Sequence, residues 1–279
     1  MMNSDELKKQ QPLIHEESWN YLIILDACRY DYFSAIHDSF LEGDLIKVES
    51  PATGTPNWLE KTFSSKFLED VVYLSANPYV NSVDIEVADG FNAKNHFGEI
   101  IDLWDRCWKE DLKTVPPDEV VEGSLSHIEN QQNKKYIIHF MQPHAPYLKL
   151  KTVGEGISGI TRRAKGNTSL MIREYIGKLV ESAFPSPTID KIRKKLNLKK
   201  PGPEKLVAEK FGKDTLREAY KENLESVLKE TKTLIRNLNG KIIITSDHGE
   251  LLGEKDLYGH CGSNKNPILR EVPWLEIVK

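Results

Sequence analysis

The sequence predicts an α/β fold with a doubly wound, mostly parallel sheet. Short β-branched apolar runs alternate with longer segments of helical periodicity along the 279-residue chain. Polar residues follow several of the apolar runs directly, as expected at the carboxyl ends of parallel strands, where such sheets bind ligands. The length is sufficient for one α/β domain, so we expect residues 1–279 to form a single domain.

Five apolar runs predict buried strands. In chain order they are 21–25, 45–48, 71–74, 135–141 and 241–245. The first run ends at Asp26, and the last runs through two polar residues into Asp247 and His248. These side chains are therefore expected at one edge of the sheet.

Helix signals lie between the strands. Thr55 is expected to be the N-cap of a helix whose first position is Pro56. A Pro pair followed by acidic residues opens a second predicted helix at 116–131. Residues 161–239 have a helical pattern interrupted by prolines and are expected to form an insertion or cap before the last motif strand; their clearest amphipathic segment is 216–238.

Composition excludes some classes of partner and location. Lys plus Arg number 38 against 42 Asp plus Glu, so the net charge of −4 gives no support to nucleic-acid binding. The sequence has no apolar run of about 18 to 20 residues, so no transmembrane segment is predicted. The polar start of the chain and the odd number of cysteines, 3, predict a cytoplasmic location with reduced thiols.

The strongest chemical signal is the Ser-Asp-His-Gly-Glu run at 246–250, which His260 follows. An Asp-His pair at a strand end can offer one oxygen and one imidazole nitrogen to a single divalent cation. Such a pair alone is more often a capped turn. Asp26 changes this balance, because it follows a second strand that is expected to end at the same edge. The combination favours a metal-dependent hydrolase or transferase.

Four segments together resemble the alkaline phosphatase and sulfatase superfamily, and most closely its sulfatase-like branch, which includes lipoteichoic acid synthases and phosphoethanolamine transferases. The segments are 24–31, 50–59, 141–147 and 245–260, in the order that the family shows. The last of them is the most specific. The resemblance implies an alkaline phosphatase-type domain that cleaves phosphate or sulfate esters with the help of a divalent metal ion (Mn, Zn, Mg or Ca).

The resemblance also implies roles for individual residues. Asp26, Asp247 and His248 are expected to bind the metal. Thr55 is expected to be both a metal ligand and the nucleophile, because unpaired N–H groups at a helix start favour an alkoxide and the oxygens of an ester. Thr53 is the neighbour that could be confused with it, since the spacing to the following proline varies in the family.

His144 and His260 resemble the histidines that hold the anionic group of the substrate or a second metal ion. Gln142 stands near His144, where two-metal relatives carry further aspartates, and this difference favours one tightly held metal with the histidines on the ester oxygens. Arg29 is expected either to contact the anion through a forked hydrogen bond or to form an ion pair with Asp31 or a helix carboxylate.

Other residues near these motifs have more modest expected roles. Cys28 lacks the Cys-x-Pro-x-Arg context of sulfatase nucleophiles and is interpreted as a packing residue. Asn77 is placed to point into the site from the end of its strand. Glu250 and Glu254 are expected to hold the loop or to support the ligands.

Three functions remain open on the sequence. The first is hydrolysis of an anionic phosphate or sulfate ester. The second is transfer of a phospho-head group onto a glycan or lipid by the same residues. The third is a non-catalytic module of the same fold, either metal-binding or a metal-free scaffold, which would not need the hydroxyl of Thr55. The basic stretch at 191–213 is either a solvated face or a docking surface for a large anionic substrate.

Overall fold

A computed structural model describes residues 7–83, 90–129, 134–150, 202–260 and 265–279 of the protein. An eight-stranded sheet runs through these residues. Its strands are β1 (Lys8–Lys9), β2 (Tyr21–Leu25), β3 (Asp44–Glu49), β4 (Leu68–Ser75), β5 (Phe97–Asp102), β6 (Lys135–Phe140), β7 (Lys241–Thr245) and β10 (Glu271–Val278). The strands β8 (Leu251–Leu252) and β9 (Tyr258–Gly259) form a separate antiparallel ribbon.

The strand order across the sheet is β1-β3-β10-β7-β2-β6-β4-β5. The five strands from β7 to β5 are parallel, and β10 runs antiparallel between β7 and β3. Strand β2 is central, with Ile23 opposite Ile244 of β7 on one side and Leu25 opposite Phe140 of β6 on the other. The carboxyl ends of β7, β2, β6 and β4 therefore meet at one edge.

Helices cover both faces of the sheet. They are α1 (Gln10–Glu16), α2 (Tyr30–Ile36), α3 (Thr55–Phe63), α4 (Leu103–Arg106), α5 (Pro117–Ile128), α6 (Pro203–Phe211), α7 (Lys213–Arg236) and α8 (Pro267–Arg270), with short 3-10 turns at His37–Ser39, Ala93–Asn95 and Glu254–Asp256. In the described ranges no helix has the length and apolar character that a bilayer crossing requires.

Successive side chains of the strands point to opposite faces of the sheet and pack into two apolar layers. Ile23 and Leu25 pack on the side covered by α2, α5 and α7, whereas Leu22 and Ile24 pack on the side covered by α1 and α3. All four side chains are fully buried. A strand that is buried on both faces reads as a continuous apolar run, which explains why β2 was evident from the sequence.

The five strands predicted from the sequence are confirmed, with β4 beginning three residues earlier than the apolar run. Strand β10 gave no clear signal because Pro273 lies within it, and proline is unfavourable inside a sheet. The carbonyl oxygen of Pro273 accepts a hydrogen bond from the hydroxyl of Thr245, at 2.6 Å. The helix predicted at 116–131 is confirmed as α5, over Pro117–Ile128.

The predicted helical insertion at 161–239 lies partly outside the described residues, so its extent stays a prediction, as does the single-domain organisation. Within the described part, α7 packs its apolar face into the main core. The buried residues of this face include Leu224, Val227, Leu228, Leu234 and Ile235.

Candidate metal centre

Three strand ends and one helix start bring polar side chains together at the carboxyl edge of the sheet. Asp26 follows β2, Asn77 lies just beyond the end of β4, and Asp247 and His248 follow β7. Thr55 is the first residue of α3. These five side chains are buried, with at most 3% of their surface exposed.

The first ligand group consists of Asp26, Asp247 and His248, whose ligand atoms all lie within 4.8 Å of one another. The Nε2 atom of His248 is 3.3 Å from Oδ2 of Asp247 and 3.8 Å from Oδ1 of Asp26. Thr55 Oγ1 donates a 2.8 Å hydrogen bond to Asp247 Oδ2 and lies 3.4 Å from His248 Nε2. The four side chains thus surround one point.

The surrounding hydrogen bonds leave the inward-facing atoms available for a cation. His248 Nδ1 is 2.8 Å from the carbonyl oxygen of Gly249, so it carries the proton, and the lone pair of Nε2 points inward. Oδ1 of Asp26 is buried without a hydrogen-bond partner in the described part of the chain. An orphaned buried carboxylate oxygen is costly unless a cation compensates it. The donor set therefore fits a divalent cation.

The electrostatics point the same way. Burial and the charge of Asp247 raise the pKa of Asp26 to about 8. Burial, together with the charge of His260, holds the pKa of His248 well below its ordinary value. A neutral imidazole beside two close carboxylates has the protonation that a metal-binding histidine needs.

A strained turn fixes the position of Asp26. The next residue, Ala27, has φ 59°, a left-handed conformation that costs a residue with a Cβ roughly 1–2 kcal/mol. Its N–H donates to Asp247 Oδ1 at 3.0 Å, and its carbonyl oxygen accepts a 2.7 Å hydrogen bond from Tyr220. These contacts hold the strained backbone and link the ends of β2 and β7.

Thr55 lies at the site in a different manner from the one expected. The sequence predicted Thr55 as the N-cap, but Gly54 has that position, and Thr55 is the first helical residue. The side chain of Thr55 does not cap the helix because its hydroxyl is bonded to Asp247. Thr53 is also buried, yet the hydroxyl that contacts Asp247 and His248 belongs to Thr55.

A second ligand group lies beside the first and consists of His144, Glu250 and His260. Glu250 Oε1 is 3.0 Å from His260 Nδ1, and Glu250 Oε2 is 3.9 Å from His144 Nε2. This Oε2 atom is buried and has no hydrogen-bond partner among the residues described. The rings of His248 and His260 are 4.3 Å apart, so the two groups form one continuous site.

Charges within the second group stabilise one another. Burial lowers the pKa of His144, but Glu250, Asp26 and Glu204 outweigh it and raise that pKa to about 9. Burial likewise opposes ionisation of Glu250, yet His260 and His144 lower its pKa overall. The histidines thus take protons where no cation balances the carboxylate, and a cation would displace those protons.

Comparisons with known proteins support the fold. Neither a family model nor a curated protein matches the chain. A soluble domain of lipooligosaccharide phosphoethanolamine transferase A from Neisseria meningitidis matches with a TM-score of 0.54 at 13% identity, over 98% of this chain and 78% of that domain. A phosphonate monoester hydrolase of Agrobacterium radiobacter matches with a TM-score of 0.55 at 13% identity, over 93% of this chain and 68% of the other. The chain has the alkaline phosphatase and sulfatase fold.

The integral membrane form of the Neisseria meningitidis transferase matches with a TM-score of 0.51 at 15% identity. The match covers 99% of this chain, which spans about half, 49%, of the length of that protein.

Arg29 lies outside both ligand groups. Its guanidinium makes a forked pair with Asp31, at 2.9 and 2.7 Å, and a 2.6 Å bond to Glu254. It also donates to the carbonyl oxygen of Glu250, at 3.2 Å. Of the two interpretations left open for Arg29, the ion pair with Asp31 is present. Arg29 ties α2 to the loop that carries Glu250.

Two further residues from the sequence motifs also face away from the ligands. Gln142 is buried and donates to the carbonyl oxygen of Val115, at 3.2 Å. Cys28 is fully buried in the apolar core, where burial raises the pKa of its thiol well above the ordinary value. This position agrees with its interpretation as a packing residue.

Glu204 is a residue of the site that the sequence did not indicate. It lies in the first turn of α6 and is 4% exposed. Burial and the charge of Glu250 raise its pKa to about 7. A Cβ atom at Gly259 would be 3.4 Å from its Oε2 atom, so the glycine leaves room for the carboxylate. An acidic residue in a first helical turn is common, which is why it gave no distinct signal.

Proposed function

We propose that the protein is a metal-dependent hydrolase that cleaves phosphate or sulfate esters with Thr55 as the nucleophile. The observation that carries this proposal is the contact of Thr55 Oγ1 with Asp247 Oδ2, at 2.8 Å, and with His248 Nε2, at 3.4 Å. A module that only bound metal would not need a hydroxyl at this helix start. The unpaired Oδ1 atom of Asp26 completes the donor set.

Asp26, Asp247, His248 and Thr55 would hold the cation. A bound cation supplies a lower pKa for the Thr55 hydroxyl and neutralises the non-bridging oxygens of the ester. Thr55 Oγ1 attacks the phosphorus or sulfur, and the bond to the ester alcohol breaks. Water then cleaves the ester formed on Thr55, which releases phosphate or sulfate and restores the hydroxyl. The N–H groups at the start of α3 favour the negative oxygens.

The second ligand group would bind either the oxygens of the ester or a second cation. The carboxylate of Glu250 lies between His144 and His260, and its buried Oε2 atom lacks a hydrogen-bond partner among the described residues, so it suits a cation better than the oxygens of an ester. A second cation at this group would give that oxygen a partner and would displace the protons of the two histidines. We therefore favour the second cation over the single metal that Gln142 suggested.

Transfer of a phospho-head group to a glycan or lipid is the second candidate function. It is supported by the structural likeness to the soluble domain of a phosphoethanolamine transferase, of which the chain covers 78%. The same residues would act, and an acceptor alcohol would replace water in the second step. The substrate in both cases is an anionic ester.

An ester screen tests these proposals. Chromogenic phosphate monoester, phosphate diester, phosphonate monoester and sulfate ester substrates would each be combined with Mn²⁺, Zn²⁺, Mg²⁺ or Ca²⁺. We expect turnover that depends on the metal and is absent in Thr55→Ala and Asp247→Asn. Addition of an alcohol separates hydrolysis from transfer, because transfer yields the alkyl ester in place of free phosphate. Stoichiometric metal binding without turnover of any ester would instead favour the non-catalytic module.

A further inference from the structure

His139 of β6 is a buried histidine that belongs to neither ligand group. None of its surface is exposed. Its Nδ1 atom lies 2.9 Å from the hydroxyl of Tyr73 on the neighbouring strand β4. Its Nε2 atom faces Oδ2 of Asp26 at 3.7 Å and has no hydrogen-bond partner in the described part of the chain.

The contact with Tyr73 determines where the proton of the neutral ring lies. A phenol has one proton to donate, and burial keeps the pKa of Tyr73 well above its ordinary value, so the hydroxyl stays protonated. Among the described residues its one polar contact is Nδ1 of His139. Donation to Nδ1 places the ring proton on Nε2, which is the atom that faces Asp26.

The two oxygens of Asp26 have different surroundings. Oδ2 accepts a 2.7 Å hydrogen bond from Asn77 and faces His139. Oδ1 has no hydrogen-bond partner and lies on the side of His248, 3.8 Å from Nε2. One oxygen thus faces N–H donors of the protein, and the other faces the point that the metal ligands surround.

We propose that His139, oriented by Tyr73, is a positioning residue that holds Asp26 with Oδ1 towards the cation. This inference rests on the metal centre of the proposed function. From 3.7 Å the N–H on Nε2 attracts Oδ2 electrostatically without a direct hydrogen bond and favours this orientation of the carboxylate, so less freedom is lost when the cation binds. Loss of such a supporting partner typically weakens metal binding by about 10- to 100-fold.

Two amide substitutions of His139 test the position of the donor. In His139→Gln the amide nitrogen is as many bonds from the backbone as Nε2 and can still reach Asp26. In His139→Asn the amide is one bond shorter and remains near Tyr73 only. Zn²⁺ affinity would be measured by competition with a chromogenic chelator. The equivalent of Zn²⁺ that is lost in Asp247→Asn is the one bound at the first ligand group. We expect a loss of about 10- to 100-fold for Asn and affinity near wild type for Gln.

Removal of the Tyr73 hydroxyl tests the second part of the inference. Tyr73→Phe leaves the ring proton free to occupy either nitrogen, so we expect a loss of Zn²⁺ affinity of up to about tenfold. Tyr136→Phe is the matched control, because it removes a tyrosine hydroxyl near the start of β6, at the opposite end of the strand from the site. It should leave the affinity unchanged.

The outcomes separate this inference from the proposed function. Equal Zn²⁺ affinity in wild type and both His139 variants overturns the inference alone. Complete loss of the first equivalent in both variants also overturns it, because His139 would then be a ligand. If affinity follows the melting temperature of the variants instead of the donor position, His139 is only a packing residue. If wild-type protein binds no Zn²⁺, the inference and the proposed metal centre both fail.

Discussion

At the scale of a single residue, the surroundings of Asp26 favour its protonated form, whereas cation binding requires its ionised form. It is buried beside Asp247, which raises its pKa to about 8, yet it must be ionised to bind a cation. Because its pKa in the folded state is above the unfolded value, its contribution to stability is largest below the unfolded pKa and is lost as the pH rises through about 8. The metal-free protein therefore becomes less stable as the pH rises from the unfolded pKa of Asp26 towards about 8.

Asp26→Asn is accordingly expected to stabilise the metal-free protein. The gain in melting temperature should be small near pH 4 and largest above about pH 8, where the wild-type carboxyl is ionised. Saturating Zn²⁺ should reverse the order, since only the wild type has the full ligand set. Thermal unfolding with a chelator and with Zn²⁺ at several pH values measures both effects. A pH-independent difference between the two proteins would contradict this account of Asp26.

Asp247→Asn should abolish binding at the first centre with little loss of fold. The remaining carbonyl oxygen of the amide can still accept the N–H groups of Ala27 and His248, which lie 3.0 and 2.9 Å from Oδ1. The amide lacks the negative charge that a divalent cation requires. Metal analysis of the purified variant, with circular dichroism as the check on folding, decides the matter. Wild-type metal stoichiometry would refute the assignment.

Thr55→Ala should retain metal yet lower turnover by roughly 10³-fold or more, because the covalent step loses its nucleophile. Thr53→Ala should have a mild effect, since it is the Thr55 hydroxyl that contacts Asp247. Thr55→Ser is the conservative control and should keep part of the activity. Steady-state kinetics on the ester identified by the screen rank the three variants. A larger defect in Thr53→Ala would show that the nucleophile has been misassigned.

At the scale of elements, α6 adds a carboxylate to a site that the motifs otherwise build. Glu204 is buried at its first turn, whereas Glu209 on the same helix is exposed. We expect Glu204→Gln to weaken the second equivalent of Zn²⁺, because the variant removes one negative charge beside Glu250. Glu209→Gln is the matched control and should bind as wild type does. If wild type and Glu204→Gln bind the second equivalent of Zn²⁺ with equal affinity, Glu204 does not belong to the second ligand group.

The elements also show which signals the sequence carries. The strands that end at Asp26 and Asp247 are buried on both faces, so each is a run of apolar residues with a clear end. Strand β10 is shared between β7 and β3 and contains Pro273, so its place in the sheet depends on tertiary contacts. The cap of α3 was misplaced for a similar reason: the hydroxyl of Thr55 is used by Asp247, which lies far away in sequence.

At the scale of the whole molecule, the parallel order of the strands made part of the site predictable. The motif residues Asp26, Thr55 and Asp247 meet because their strand ends and helix start share one edge. His139 and Glu204 could not be found in this way. A histidine inside an apolar strand and a glutamate in a first helical turn have ordinary structural roles in most proteins, and only the packed fold shows what they face.

The two ligand groups adjoin, and His260 is the residue through which they can be tested as one site. Its ring is 4.3 Å from His248 and its Nδ1 atom is 3.0 Å from Glu250 Oε1. We expect His260→Ala to keep the first equivalent of Zn²⁺, because the ring of His260 is not part of the first ligand group. The second equivalent should be lost or weakened.

A second cation beside the ester would stabilise charge that grows in the transition state, so His260→Ala should lower kcat more than it raises KM. A histidine with a purely structural role would act differently: the melting temperature would fall while the folded protein kept a normal kcat. The side chain of His260 is 28% exposed, which limits the packing that its removal can cost. Measurement of kcat, KM, Zn²⁺ stoichiometry and melting temperature on one preparation separates these roles. A large loss of stability with unchanged kcat and two bound equivalents would remove His260 from the site.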